Sequence, residues 1–260
     1  MHHIDEKLAQ FRRLLEIMSE LRLKCPWDKE QTFESLRTLT IEETYELADA
    51  ILKNDKKEIS KELGDLLLHI VFYAEMGNET QDFDIYDVMK NLCEKLIYRH
   101  PHIYGDVEAN NPDVVMQNWE DLKLKEKGGN KTVLSGVPVS LPALIKAHRI
   151  QDKARRVGFD WEEREQVWDK VKEEFDELKT EIGKMDQDKM EAEFGDLLFS
   201  LINAARLYDI NPENALERTN RKFIQRFNYL ESKTITMGGD LKKMSLEEME
   251  EIWQEAKQKE

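Results

Sequence analysis

Two short stretches of this chain crowd carboxylates onto single helices. In "IEETYE", residues 41–46, Glu42, Glu43 and Glu46 fall within little more than one helical turn. At about 100° per residue, Glu42 and Glu46 lie about 40° apart and Glu43 and Glu46 about 60° apart. Like charges at this spacing destabilise an isolated helix by roughly 0.2–0.5 kcal/mol per pair. The pattern calls for a positive group to offset the repulsion. Downstream, Glu62 and Asp65 add an E-x-x-D pair.

The whole set repeats. "IEETYELADAILKNDKKEISKELGDLL" returns 131 residues later as "KEEFDELKTEIGKMDQDKMEAEFGDLL". Glu42, Glu43, Glu46, Glu62 and Asp65 are matched without a gap by Glu173, Glu174, Glu177, Glu193 and Asp196. A solvated acidic face is the competing reading of E-E-x-x-E taken alone, but five acidic positions at one constant offset mark a duplicated unit. In each copy the arms on either side of a turn, Asn54–Asp55 or Met185–Asp186, are of nearly equal length. With a rise of about 1.5 Å per residue, folding back brings both motifs to the same height. Four carboxylates then converge from two helices, and an all-oxygen donor set selects a hard divalent cation, Mg²⁺ or else Mn²⁺. A di-iron carboxylate bundle would need Glu-x-x-His on paired helices. Neither copy has it, because His69, four residues after Asp65, is matched by Ser200. Mid-helix glycines cost about 1 kcal/mol relative to Ala, so Gly64 and Gly195 predict close helix packing, ahead of a ligand approaching the backbone.

Carboxylate-held Mg²⁺ commonly serves a phosphate-bearing substrate, which also needs basic partners. The second copy continues with Lys222 and Arg226 at i, i+4, then Trp253 and Lys257 at i, i+4. The first copy has the same succession in Lys95 and Arg99, then Trp119 and Lys123. Lysine and arginine would neutralise phosphoryl oxygens, and tryptophan offers a face on which a base could stack. Each pair is equally at home on a solvated or packed helix face.

The elements that must position these groups are helical. Charged residues make up 36% of the 260 and hydrophobic ones 40%, with only 11 Gly and 6 Pro, a composition that suits helices. Leu63, Leu66, Leu67, Ile70, Val71 and Ala74 form one stripe at helical spacing, and Leu197, Leu198, Leu201, Ile202 and Ala205 another. No segment alternates as a strand does. The expected fold is all-α: two tandem four- or five-helix bundles, each with an antiparallel pair at its centre. The domains run 1–124 and 145–260, joined by a Gly/Pro-bearing linker at 125–144.

The net charge of −15 argues against a nucleic-acid polymer or an anionic membrane as partner, since both require a basic face. The longest apolar run, "LLLHIVFYA" from Leu66, is too short to span a bilayer. The polar start shows no signal peptide, and two cysteines, Cys25 and Cys93, make no disulfide framework, so a reducing cytoplasm is expected.

At this point the residues resemble a known family. "LRLKCPWDKEQTFESL" (21–36), both acidic sets, "YRHPHIYGD" (98–106) and "ARRVGFDW" (154–161) are similar to the MazG nucleoside triphosphate pyrophosphohydrolases, in order along nearly the whole chain. Leu39 stands where many relatives carry an aromatic. The resemblance implies an all-α homodimer that hydrolyses nucleoside triphosphates with Mg²⁺ to the monophosphate and pyrophosphate. By motif it implies Glu174, Glu177, Glu193 and Asp196 as metal ligands, with Glu43, Glu46, Glu62 and Asp65 as the second copy of that site. Glu173 would stand beside the ligands as a supporting group or candidate base. Lys170, Lys189, Lys222 and Arg226 would face the phosphates, and Trp253 and Lys257 would close over the nucleotide.

The duplication also ranks the copies. At the positions of Lys170 and Lys189 the first copy has Leu39 and Glu58, so it has lost one cation and reversed another. Such charges matter most in a partly dry pocket. The C-terminal copy is therefore expected to be the main hydrolase, of broad base specificity and suited to clearing unwanted nucleotides. The N-terminal copy would be a weaker or differently selective site, or a regulatory and dimerisation module. A narrow pyrophosphatase for one deoxynucleotide or modified base, and a non-catalytic nucleotide-sensing module, are the competing functions.

Overall fold

A computed structural model describes residues 2–107, 111, 114–115, 118–119, 122–123 and 132–259. The chain divides into two compact units, Met1–Leu122 and Lys123–Glu260. Among the described residues every regular element is a helix, as the apolar stripes predict. Of the expected linker, residues 125–131 lie outside the described residues. Residues 132–142 run as turns, and the next helix begins at Ala143. None of the described helices is long and apolar enough to cross a membrane.

The first unit contains α1 (Ile4–Lys24), α2 (Pro26–Glu30), α3 (Phe33–Leu52), α4 (Lys56–Glu79), α5 (Ile85–Arg99) and α6 (Pro101–Tyr104). Thr32 caps α3: its Oγ1 accepts from the Ser35 backbone N–H at 3.1 Å, while Ser35 Oγ accepts from the Thr32 N–H at 2.9 Å. The α3–α4 turn passes through Asn54 in the left-handed region (φ 54°). Asp55 then starts α4, its Oδ1 accepting from the N–H groups of Lys57 and Glu58 at 3.0 and 3.2 Å. The resulting antiparallel pair is the centre of the unit, with α1 and α5 packed on α4. Its core is Met18, Leu36, Val71, Phe72 and Met76, surrounded by Phe11, Leu14, Leu15, Leu39, Leu68 and Tyr73. Burying each such side chain contributes about 1.5–3 kcal/mol. Gly77 is required where α4 passes the returning chain, since a Cβ there would lie 2.7 Å from Phe83 O.

The second unit contains α7 (Ala143–Arg155), α8 (Val167–Lys184), α9 (Gln187–Leu207), α10 (Pro212–Thr236) and α11 (Leu246–Gln258), with 3-10 turns at Arg164–Gln166 and Leu241–Lys243. Helices α8 and α9 form the central antiparallel pair, α7 packs on α9 and α10, and α11 packs on α10. The central turn repeats that of the first unit residue for residue: Met185 is left-handed (φ 58°) and Asp186 caps α9. A left-handed methionine carries about 1–2 kcal/mol of strain, which the packed pair on either side holds in place. At the end of α7, Gly158 has φ 86°, a conformation glycine adopts without penalty. The N–H groups of Gly158 and Phe159 bond back to Arg155 O and Ala154 O at 2.9 and 3.1 Å. This turn carries Asp160 to Arg206 on α9.

One expectation is corrected. A Cβ built on Gly64 or Gly195 meets nothing within 4 Å among the described residues. Close packing against another described helix of the chain is therefore not what these glycines serve.

Candidate functional site

In the second unit, α8 presents Glu174 and Glu177 and α9 presents Glu193, with ligand-capable oxygens all within 4.8 Å of one another. The equal arms on either side of Met185 bring them level. Glu174 is buried and Glu177 exposed. Partial burial, followed by the charges of Glu177, Asp196, Glu174 and Glu181, raises the Glu193 pKa above its ordinary value. Asp196 stands outside the tight trio but close enough to act on Glu193. Lys170 Nζ lies 2.7 Å from Glu174 and 2.9 Å from Glu173, and its hydrogen bonds to them hold its proton well above the usual lysine range. Lys189 is placed otherwise, at the start of α9 and 3.4 Å from Asp186.

The first unit also has a trio within 4.8 Å, but of different membership: Glu43, Glu62 and Asp65, with Asp65 included where the second unit leaves its counterpart Asp196 outside. Burial first, then Asp65, Glu46, Glu62 and Glu42, raises the Glu43 pKa. Glu46 repels Glu43 from outside the trio. Glu62 is 3% exposed. Its Oε1 accepts from Lys61 Nζ at 2.7 Å, while its buried Oε2 has no hydrogen-bond partner among the described residues.

Beside the second cluster opens a cleft of about 750 Å³, lined by Lys170, Glu174 and Asp196 and also by Trp161, Gln151, Phe199, Asn203 and Arg206. Arg206 is the cleft's buried anchor. Its Nη1 lies 3.0 Å from Asp160 Oδ2, and its Nε and Nη2 lie 3.0 and 2.7 Å from Asn203 Oδ1. At the constant offset, Lys170, Phe199 and Asn203 become Leu39, Leu68 and Phe72; Phe72 is in the hydrophobic core of the first unit and Leu39 and Leu68 pack against it. Cleft-lining positions in one unit are thus apolar packing positions in the other.

The sequence matches the model of the MazG nucleotide pyrophosphohydrolase domain twice, over residues 31–104 and 162–230. The chain belongs to the MazG family. Membership makes it a hydrolase of nucleotide phosphoanhydride bonds. It is 43% identical over 260 residues to the nucleoside triphosphate pyrophosphohydrolase of Escherichia coli (strain K12), covering 97% of this chain and 99% of that one. It is also 43% identical over 250 residues to the nucleoside triphosphate pyrophosphohydrolase/pyrophosphatase MazG of Thermotoga maritima, covering 95% of each. The uncharacterized protein YabN of Bacillus subtilis (strain 168) is 45% identical over 262 residues, 98% of this chain and 54% of its own length.

Both MazG matches contain a full carboxylate set, and the second begins after several groups the cleft uses, since Gln151, Asp160 and Trp161 precede it. The basic and aromatic residues expected at the nucleotide assemble elsewhere. Arg226 stands 5.8 Å from the Trp253 ring centroid, and Phe223 lies 5.0 Å from the same ring. The first MazG domain repeats the pairing, with Arg99 5.4 Å from the Trp119 centroid. Lys222 and Lys257 are exposed. None of Lys189, Lys222, Arg226, Trp253 and Lys257 lines the cleft among the described residues. One acidic residue escaped the motif. Glu181, one turn beyond Glu177, has a buried Oε2 with no hydrogen-bond partner among the described residues, and its charge helps raise Glu193. Its i+4 spacing was visible, but the first copy has Ala50 there, so the repeat did not single it out.

Proposed function

We propose that the C-terminal MazG domain hydrolyses nucleoside triphosphates between the α and β phosphorus atoms, yielding the monophosphate and pyrophosphate. It would accept a broad range of ribo- and deoxyribonucleotides and serve to clear unwanted nucleotides. The observation that carries this reading is the single cleft shared by Lys170, Glu174 and Asp196 and by a set of polar and aromatic groups suited to a nucleoside. In the first unit the apolar Leu39, Leu68 and Phe72 stand at the positions of Lys170, Phe199 and Asn203.

The carboxylates suit a divalent cation. Their donors are all oxygen, burial and then mutual repulsion raise Glu43 and Glu193, and Glu62 Oε2 is buried without a partner among the described residues. Mg²⁺, with Mn²⁺ as a substitute, fits that donor set, held by Glu174, Glu177, Glu193 and Asp196. The ion when bound would polarise the phosphates and make a water more acidic. Lys170 supplies positive charge beside Glu174 for the phosphoryl oxygens. Glu173, hydrogen-bonded to Lys170 at 2.9 Å, is the candidate to take a proton from the attacking water. Lys222, Arg226, Trp253 and Lys257 keep their proposed part at the nucleotide as groups brought to the cleft when substrate or a second chain binds.

A homodimer is part of the proposal. Leu63, Leu67 and Ile70 on α4, and Phe194, Leu198 and Leu201 on α9, are all exposed. They occupy identical places in the two repeats, at the i, i+4, i+7 spacing of a packing face. A second copy of the chain, carrying the same stripes, covers them in a self-complementary contact. Light scattering should then report twice the 30.7 kDa of the chain, and a monomer would remove this part of the reading. Cys25 and Cys93 are both free thiols, which suits a reducing cytoplasm.

Turnover of a panel of NTPs and dNTPs with Mg²⁺, resolving pyrophosphate from orthophosphate, tests the reaction. Pyrophosphate from most of the panel is expected. Orthophosphate alone contradicts α,β cleavage, turnover of a single nucleotide makes the enzyme a narrow one, and no release from any nucleotide leaves a sensing module.

A further inference from the structure

The cleft of the second unit holds two carboxamides whose orientation is fixed by their neighbours. Gln151 on α7 is 6% exposed, and its side-chain amide lies 2.7 Å from Phe199 O. A carbonyl oxygen only accepts, so the NH₂ group must face it and Oε1 is turned away. That Oε1 is buried and has no hydrogen-bond partner among the described residues. Buried acceptors are rarely left so, because the lost hydrogen bond to water is not replaced. Asn203 on α9 is arranged the other way. Its Oδ1 accepts from Arg206 Nε and Nη2 at 3.0 and 2.7 Å. A guanidinium only donates, so Nδ2 is the atom of Asn203 turned from Arg206. Phe199 and Asn203 are one turn apart on α9, so the carboxamides of Gln151 and Asn203 belong to the same stretch of that helix. Both line the cleft with Lys170, Glu174 and Asp196.

We propose that Gln151 and Asn203 read the edge of the nucleobase. Gln151 Oε1 accepts an amino or imino N–H, and Asn203 Nδ2 donates to the neighbouring ring nitrogen or carbonyl. This assignment rests on the pyrophosphohydrolase reading of the cleft. The pairing edge of each common base sets a donor beside an acceptor, the edge by which enzymes read an unstacked base. One acceptor and one donor therefore take all of these bases and disfavour a ring that lacks such an edge. In the first unit Phe72 replaces Asn203 within the core, so the donor of this pair is missing there.

The test compares the full-length chain with Gln151→Met, which keeps the length but removes the acceptor, and Asn203→Asp, which keeps Oδ1 for Arg206 but removes the donor. Substrates are ATP, purine riboside 5′-triphosphate, which lacks the amino group, and ribose 5′-triphosphate, which lacks the base. In each variant the kcat/KM ratio of ATP to ribose 5′-triphosphate is expected to fall about tenfold, the worth of about one net hydrogen bond, mainly through KM. Wild-type discrimination between ATP and purine riboside 5′-triphosphate should also vanish in Gln151→Met. Unchanged ratios in both variants overturn the proposal; if one variant does not fold, the other decides. Calorimetric binding of α,β-methylene ATP separates this proposal from the reaction itself. A wild-type chain that hydrolyses nothing ends the enzymatic reading, yet about tenfold weaker binding by the variants would sustain the base contacts, and equal binding would overturn them.

Discussion

Pyrophosphate release from ATP and Mg²⁺ is expected to fall by roughly 10³-fold in Glu174→Ala, while Glu43→Ala keeps most of the wild-type rate. The two residues occupy the same place in the two repeats, so the contrast isolates what surrounds them. Glu174 is buried, belongs to the trio with Glu177 and Glu193, and holds Lys170 at 2.7 Å. Its loss weakens the cation site and releases the lysine from its position. Metal-assisted charge stabilisation is worth several kcal/mol, and each 1.36 kcal/mol is a factor of ten in rate. Glu43 belongs to an equally tight trio, but apolar Leu39, Leu68 and Phe72 stand at the positions of Lys170, Phe199 and Asn203. On the proposed reading, its loss leaves the C-terminal site untouched. Full activity in Glu174→Ala with none in Glu43→Ala would reverse the assignment.

How much of this was legible follows from which interactions are local. The constant offset carried more than the acidic residues. It also located the central turn, because equal arms require a reversal at Asn54 and Met185, and both are left-handed (φ 54° and 58°). Helical rise accounts for carboxylates from two helices meeting at one height, but not for which three close up, since Asp65 joins the first trio and Glu177 the second. The cleft does not follow from rise at all, because its residues come from several separate segments, Lys170 and Glu174 on α8 among them. Gln151 lies on α7, Asp160 and Trp161 on the turn after it, and Asn203 and Arg206 on α9. Only the packing of α7 on α9 brings them together. "VGFDW" was conspicuous as a string, yet nothing in it says that Asp160 meets Arg206. Gly64 and Gly195 were misread for the same reason, since what a missing Cβ would touch is a tertiary fact. The basic–aromatic succession was legible only as an order along the chain; that Arg99 meets Trp119 and Arg226 meets Trp253, away from the residues lining the cleft, was not.

The second large effect is on stability. Arg206→Met is expected to destabilise the second unit by about 3–5 kcal/mol at pH 7, as removing one partner of a buried ion pair does. The Arg206 side chain is 5% exposed and that of Asp160 18%, so the carboxylate left behind is largely cut off from water, and Asn203 Oδ1 loses both its donors. The pH dependence identifies the cause. Burial alone would raise the Asp160 pKa, but the hydrogen bonds and charge of Arg206 outweigh it and hold the carboxyl below its ordinary value. A carboxyl depressed in the folded state contributes stability that is fully present above its unfolded pKa, about 3.9, and lost as pH falls through the folded value. In Arg206→Met the burial remains and the compensation is gone, so Asp160 protonates more readily on folding and the wild-type acid sensitivity is lost. Urea denaturation should therefore show the widest gap between wild type and variant near pH 7, narrowing once the pH drops below about 4. A gap of constant size across that range would assign the loss to packing of the arginine stem rather than to the pair. The double variant Asp160→Asn/Arg206→Met should recover part of the loss, because an absent ion pair costs less than half of one. It should not restore the orientation of Asn203, which depends on the guanidinium itself.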